Sequence, residues 1–265
     1  MRTSYNFDLS HLPDRGKKPR NTGLTMVMDK GISLRQAQDF VENSSDYVDF
    51  VKLGFGTSLI SKNVKEKIKL YQQAGIKVYV GGTLFEAFVI RNQFEDYMRY
   101  IQGLGLDCAE VSDGSIVLDH DKKCQYIQRL SKEFTVLSEV GSKEEGVIIH
   151  PARWISMMQT ELEAGSSKVI AEARESGTVG IFHKNGTAHT ILINRIVHKV
   201  KMENIIWETP QKSQQVYFLK LFGSNINVGN IAVDDVIPLE TLRLGLRGDT
   251  FFSFLPEDLK HPINI

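Results

Sequence analysis

The chain has 265 residues, 42% of them apolar, enough to bury a large core in one domain. Lys plus Arg and Asp plus Glu stand at 32 each, so no global basic field draws it to nucleic acid. No stretch approaches the roughly 20 apolar residues that span a bilayer, and the polar start "MRTSYNFDLSHLPDRGKKPR" lacks the apolar run of a signal peptide. The two cysteines, Cys108 and Cys124, have no metal-like spacing and read as reduced thiols, so the expectation is a soluble cytoplasmic protein.

Residues 1–20 are basic and contain proline, and read as an arm or an early lid. Short apolar runs then alternate with longer amphipathic segments. The expected strands are "LTMVMD" (24–29), "YVDFVKLG" (47–54), "IKVYVGG" (76–82), "CAEVSDG" (108–114), "FTVLSEVG" (134–141), "SKVIAEARE" (167–175), "NIIWETP" (204–210) and "INVGNI" (226–231). Their Val, Ile and Tyr content suits strands covered on both faces. Between them "SLRQAQDFVENS" starts on a Ser33 cap with Leu34, Ala37, Phe40 and Val41 on one stripe. "SKNVKEKIKLYQQAG" stops at Gly75, and "PLETLRLGLRG" runs from Pro238 to Gly248 with a weak point at Gly245. Eight strands, each followed by a helical segment, predict a parallel α/β protein, a (β/α)8 TIM-type barrel forming one domain over 1–265 with a tail at 255–265.

Barrel chemistry lies at the C-terminal ends of strands, and these ends carry Asp29, Lys52, Glu110, Glu139, Glu172, Arg174, Glu208 and Asn230. Charges converging on one mouth require compensation. Glu110, Glu139 and Glu172 come from consecutive strands and would repel one another without a cation among them. Magnesium suits such oxygen ligands, and salt bridges to Lys52 and Arg174 are the competing arrangement. Glu172 and Arg174 share parity, so both face the mouth while Glu175 turns away. Arg174 offers a planar fork for phosphate or carboxylate, and the N–H groups of Ser176 and Gly177 in "SGTVG" add an anion pocket. Lys143 lies in the long connection "VGSKEEG". "FGTS" (55–58) and "GGTLFE" (81–86) place glycines and hydroxyls between strand and helix, where ordinary capping competes with anion binding. The seven histidines form no HxH or HExxH pair, which argues against zinc.

The blocks "LTMVMDKG", "DYVDFVKLGFGTS", "KVYVGGTLFE", "EVSDGS", "LSEVGSK", "EARESG", "ETPQKSQQ" and "PLETLRLGLRGDTFF" together resemble the phosphosulfolactate synthase family, in order, from about residue 22 to 252. Thr209 and Gly229 stand where alanine is more usual in that family, and the arm and the tail lie outside the resemblance. It implies a (β/α)8 barrel and magnesium-dependent addition of sulfite to phosphoenolpyruvate, giving (2R)-phospho-3-sulfolactate. The sulfonate fed by that product is left open among coenzyme M, a spore sulfonate and a sulfonolipid, as is a homo-oligomeric state. On chemistry and strand position, Lys52 or Lys143 is the expected proton donor. Arg174, Ser176, Gly177 and Asn230 are the expected substrate contacts, and Glu110, Glu139 and Glu172 the expected magnesium ligands. Two other readings remain: a barrel lyase or aldolase with Lys52 as a Schiff-base amine, and a barrel that binds a phosphorylated metabolite without turnover.

Overall fold

The computed structural model describes residues 5–141 and 150–260 of the chain. Its eight strands are β1 (Thr25–Asp29), β2 (Phe50–Leu53), β3 (Lys77–Val80), β4 (Cys108–Val111), β5 (Thr135–Val140), β6 (Ser166–Ala171), β7 (Ile205–Glu208) and β8 (Val228–Ala232). All are parallel, in the order β3-β2-β1-β8-β7-β6-β5-β4, and β3 meets β4 to leave a nearly closed barrel. The helices are α1 (Leu34–Ser44), α2 (Val64–Gln73), α3 (Gly82–Val89), α4 (Phe94–Gly103), α5 (His120–Leu130), α6 (Pro151–Glu163), α7 (Thr190–Val197), α8 (Lys212–Phe222) and α9 (Val236–Arg243). The expected (β/α)8 fold is therefore present, with one additional helix between β3 and β4.

Local signals set the element ends. The Ser33 side chain accepts from the Gln36 N–H while Gln36 reaches back to the Ser33 backbone, a reciprocal cap that starts α1. Gly75 follows α2 at φ 68°, as expected of a helix stop. The last helix departs from the expectation, since it starts at Val236 and ends at Arg243. Gly245, at φ 71°, is its terminator rather than a weak point within it. The sixth strand also stops short of the expected segment 167–175. It ends at Ala171, and Arg174 lies in the left-handed region at φ 56°.

Alternation along the strands divides the apolar residues into two sets. One packs beneath the helices, including Val27, Val51, Val78, Ala109, Val136 and Trp207. The other fills the barrel with one side chain from each of seven strands: Met26, Phe50, Tyr79, Cys108, Leu137, Ile170 and Ile206. This plug excludes water below the mouth. The Met157–Met158 pair of α6 is buried in the core, as its helical spacing suggests, and both cysteines are free and buried.

The described part of the N-terminal segment, from residue 5, is not a lid. Arg15 donates to the Gly23 carbonyl at 3.1 Å and pairs with Glu240 at 2.8 Å, and Arg20 forks onto Asp49 at 3.0 Å. These partners precede β1 and β2 or lie on α9, so the segment seats at the barrel end opposite the mouth. There Arg243, fully buried, donates to the carbonyls of Ser224 (2.6 Å), Ile226 (2.8 Å) and Leu24 (3.1 Å). Arg243→Met should take the donor from the Ile226 carbonyl, while Leu24 still accepts from the Val228 N–H at 2.9 Å and Ser224 from Arg15 at 3.4 Å, and cost roughly 1–3 kcal/mol of stability. Urea denaturation checks the magnitude.

Candidate active site

Two residues beyond the plug, the same inward parity delivers Met28, Lys52, Glu110, Glu139, Glu172 and Glu208. An apolar layer thus gives way to a charged one within a single pleat repeat. A cavity of ≈450 Å³ opens above it, lined among others by Lys52, Glu139, Glu172, Arg174, Glu208 and Asn230.

Lys52 is the centre of this layer. Its Nζ lies 3.0 Å from Glu110 Oε1, 3.3 Å from Glu139 Oε2 and 3.7 Å from Glu208 Oε1. Burial opposes its charge, but Glu110, Glu139 and Glu208 together outweigh burial and hold the ammonium well above the usual lysine range. Lys52 is therefore a protonated amine at neutral pH.

The carboxylates fall into two roles. Among the described residues, Glu139, Glu172 and Glu208 each offer one oxygen, and these oxygens all lie within 4.8 Å of one another. Glu110 instead pairs with Lys52 and accepts from the Gly82 N–H at 2.5 Å. The triple whose oxygens converge thus differs from the expected magnesium ligands Glu110, Glu139 and Glu172, with Glu208 in place of Glu110. Glu208 was visible as a strand-end charge two residues after the apolar Ile206, but chain order hid its approach to Glu139. Its Oε2 accepts from the Ala173 N–H at 2.9 Å. Its Oε1 is buried without a hydrogen bond among the described residues. Burial pushes the Glu208 carboxyl up to about 7, Glu139 and Glu110 adding to the rise and Lys52 opposing it. The buried Asn230 Oδ1 likewise has no hydrogen-bond partner among the described residues. Oxygen-rich donors with such orphaned atoms fit a hard divalent cation.

The rim is built from turns. Glu172 Oε1 accepts from the Arg174 N–H at 2.5 Å, which ties the left-handed turn to the layer below. Arg174 is exposed, and its guanidinium makes no hydrogen bond or ion pair among the described residues. Because β6 has ended, strand parity does not apply to Glu175. It lines the mouth and pairs with Lys30, rather than turning away. The Gly177 N–H donates within the turn to the Arg174 carbonyl at 3.3 Å. Ser176 remains at the mouth, its hydroxyl 2.8 Å from that of Thr178. Asn230 reaches the mouth through a bulge. Thr25 faces Val228 and Val27 faces Ile231, so β8 carries one extra residue, with Asn230 at φ 56°. Lys143 lies outside the described residues.

Sequence reasoning missed the support under Glu139. The Ser112 hydroxyl sits between the carboxylates of Glu86 and Glu139, 3.1 Å from Glu139 Oε1. Glu86, on α3, also accepts from the Gly114 and Ser115 N–H groups at 3.0 and 2.9 Å. A glutamate within the apolar run "LFEAFV" was the available signal.

A family model described as (2R)-phospho-3-sulfolactate synthase (ComA) matches residues 13–249, which takes in Arg15 and Arg20 of the N-terminal segment. The chain is 42% identical over 244 residues to the phosphosulfolactate synthase of Methanothermobacter thermautotrophicus, across 90% of this chain and 95% of that one. It is 41% identical over 244 residues to the phosphosulfolactate synthase of Bacillus subtilis, across 91% and 97%. The solved YdjI aldolase from Escherichia coli K12 superposes with a TM-score of 0.55 over 81% of this chain and 76% of that one, at 10% identity, a likeness of fold alone. The two departures from family wording pack side by side, the Thr209 N–H donating to the Gly229 carbonyl at 2.9 Å. A Cβ at Gly229 would lie 2.7 Å from Met26 Cε, so glycine leaves room for the Met26 side chain.

The raised Glu208 carboxyl gives a signed expectation. The unfolded chain releases this proton near 4.5 and the folded one near 7, so the contribution is complete below 4.5 and lost as pH rises through about 7. In chelator, urea denaturation stepped across that window should show stability falling by on the order of 3 kcal/mol from this group. Glu208→Gln should flatten the slope.

Proposed function

The chain belongs to the (2R)-phospho-3-sulfolactate synthase family, and we propose that it adds sulfite to phosphoenolpyruvate at this mouth with magnesium held by Glu139, Glu172 and Glu208. The observation that carries the reading is the pairing of three converging buried carboxylates with one ammonium locked in its charged form. When bound, magnesium would supply positive charge beside the substrate carboxylate, where negative charge builds during addition.

In this reading the sulfur lone pair of sulfite forms a bond to the methylene carbon of phosphoenolpyruvate. The π electrons move toward the carboxylate, and the adjacent carbon then takes a proton. No group leaves, and the phosphate ester stays intact, so in the reverse direction the reaction is a carbon–sulfur lyase step. Lys52 holds a proton beside the carboxylate layer and is the donor. Lys143 is a second candidate donor. Arg174 binds the phosphate with its planar fork, aided by Ser176, and Asn230 adds a polar contact near the end of β8, where barrel phosphate sites recur. The apolar plug closes the floor of the cavity. A Schiff-base role for Lys52 conflicts with its charge, because an amine nucleophile must be neutral.

Incubation with phosphoenolpyruvate, sulfite and magnesium, followed by mass analysis, should yield phosphosulfolactate, with turnover abolished by exhaustive chelation. Product formed without sulfite would identify a different reaction. Arg174→Lys tests the phosphate assignment, since a point charge cannot reproduce a bidentate pair. Losing a charge-assisted hydrogen bond of roughly 1.5–3 kcal/mol should weaken phosphoenolpyruvate binding about tenfold or more, with sulfite affinity changed less. Unchanged phosphoenolpyruvate affinity would remove Arg174 from the phosphate site.

A further inference from the structure

Behind the mouth, a second set of buried charges bears on the same strand end. Lys123, on α5, is fully buried. Its Nζ lies 2.9 Å from Asp113 Oδ1 in the loop after β4 and 2.9 Å from Glu161 Oε1 on α6. It also donates to the Glu139 carbonyl at 2.6 Å. An ammonium has three donors, and here each meets a different element.

The strand register explains the third bond. On its β4 side, β5 is paired only as far as Ser138, which faces Val111. Glu139 and Val140 project beyond the end of β4, so the Glu139 carbonyl has lost its neighbouring strand. A buried carbonyl left alone there would be costly, and Lys123 takes the place of the missing strand. Through Asp113 the same ammonium holds the loop whose Ser112 hydroxyl touches the Glu139 carboxylate. Glu139 is thus fixed at its backbone by Lys123 and at its side chain by Ser112 and Lys52. A salt bridge serving stability alone would need neither the carbonyl nor the loop, and well-packed apolar residues commonly replace such a bridge at little cost.

We propose that Lys123 is a positioning residue that sets the place of Glu139 in the magnesium site. It rests on the assignment of Glu139 to magnesium. The test compares Lys123→Met, the double variant Lys123→Met/Glu161→Gln and Glu139→Gln, using calorimetric titration with magnesium chloride, near-UV circular dichroism and thermal melts. Lys123→Met removes the cation from both Glu161 and Asp113 and should melt earlier, and the double variant should regain the part of that loss due to the fully buried Glu161. Magnesium affinity should nevertheless stay about tenfold to a hundredfold weak in the double variant, the usual effect of removing a group that orients a ligand. The magnesium dependence of turnover should shift likewise, with kcat at saturating magnesium changed less. Wild-type magnesium affinity in the double variant, with Glu139→Gln impaired, would overturn this inference alone. A loss that tracks a vanished near-UV signal would make Lys123 structural and overturn it equally. Wild-type affinity in Glu139→Gln would overturn the magnesium assignment and this inference with it.

Discussion

The Lys52 ammonium sits in a layer that also holds Glu110, Glu139, Glu172 and Glu208, sealed from below by an apolar plug. Four carboxylates against one buried cation form an arrangement that cannot be fully ionised and stable by itself. The structure answers in two ways. Lys52 keeps its proton, and Glu208 retains one toward neutral pH. A divalent cation entering the layer would release the Glu208 proton and relieve the remaining repulsion. The imbalance that costs stability is thus one that the proposed magnesium ion would relieve.

Fixing such a layer demands that strand ends not fray, and the helices supply the restraint through buried lysines. Lys67 of α2 reaches Asp29 at the end of β1 at 2.8 Å, joined by the Tyr71 hydroxyl at 3.0 Å. Asp29 in turn accepts from the Gly31 and Ile32 N–H groups at 2.8 and 3.0 Å, which shapes the turn leading to Lys30. Lys123 of α5 serves the end of β5 in the corresponding way. Both lysines lie on helices that otherwise bury apolar stripes, and each meets polar groups that the ending sheet leaves behind.

Most of the fold was legible because its signals are local. Eight apolar runs separated by capped amphipathic segments leave few alternatives to a parallel barrel. Parity likewise placed Lys52, Glu139 and Glu172 at one mouth. What failed was reasoning that extended parity past the end of a strand or counted neighbours by chain order. Arg174 and Gly177 belong to a turn, so alternation says nothing of their directions. Glu110 and Glu208 have the same parity and nearly the same depth. Which of them joins Glu139 and Glu172 depends on strand tilt and on the Lys52 side chain crossing the barrel, and neither is written in any local window. The β8 bulge is similarly silent, although it decides where Asn230 points.

The mouth joins two kinds of backbone with different mechanical properties. The carboxylates stand on, or one residue beyond, hydrogen-bonded strands, whereas Phe55, Arg174 and Asn230 all adopt left-handed conformations, at φ 54°, 56° and 56°. For residues other than glycine this conformation is unfavourable by roughly 1–3 kcal/mol each and persists only where surrounding contacts impose it. At Arg174 the imposing contact is visible, since its N–H is held by the Glu172 carboxylate itself. Any shift of Glu172 toward a cation therefore pulls directly on the turn that presents the guanidinium. With the proposed magnesium and phosphate assignments, loading the carboxylates and aiming the Arg174 guanidinium would be coupled through this single hydrogen bond.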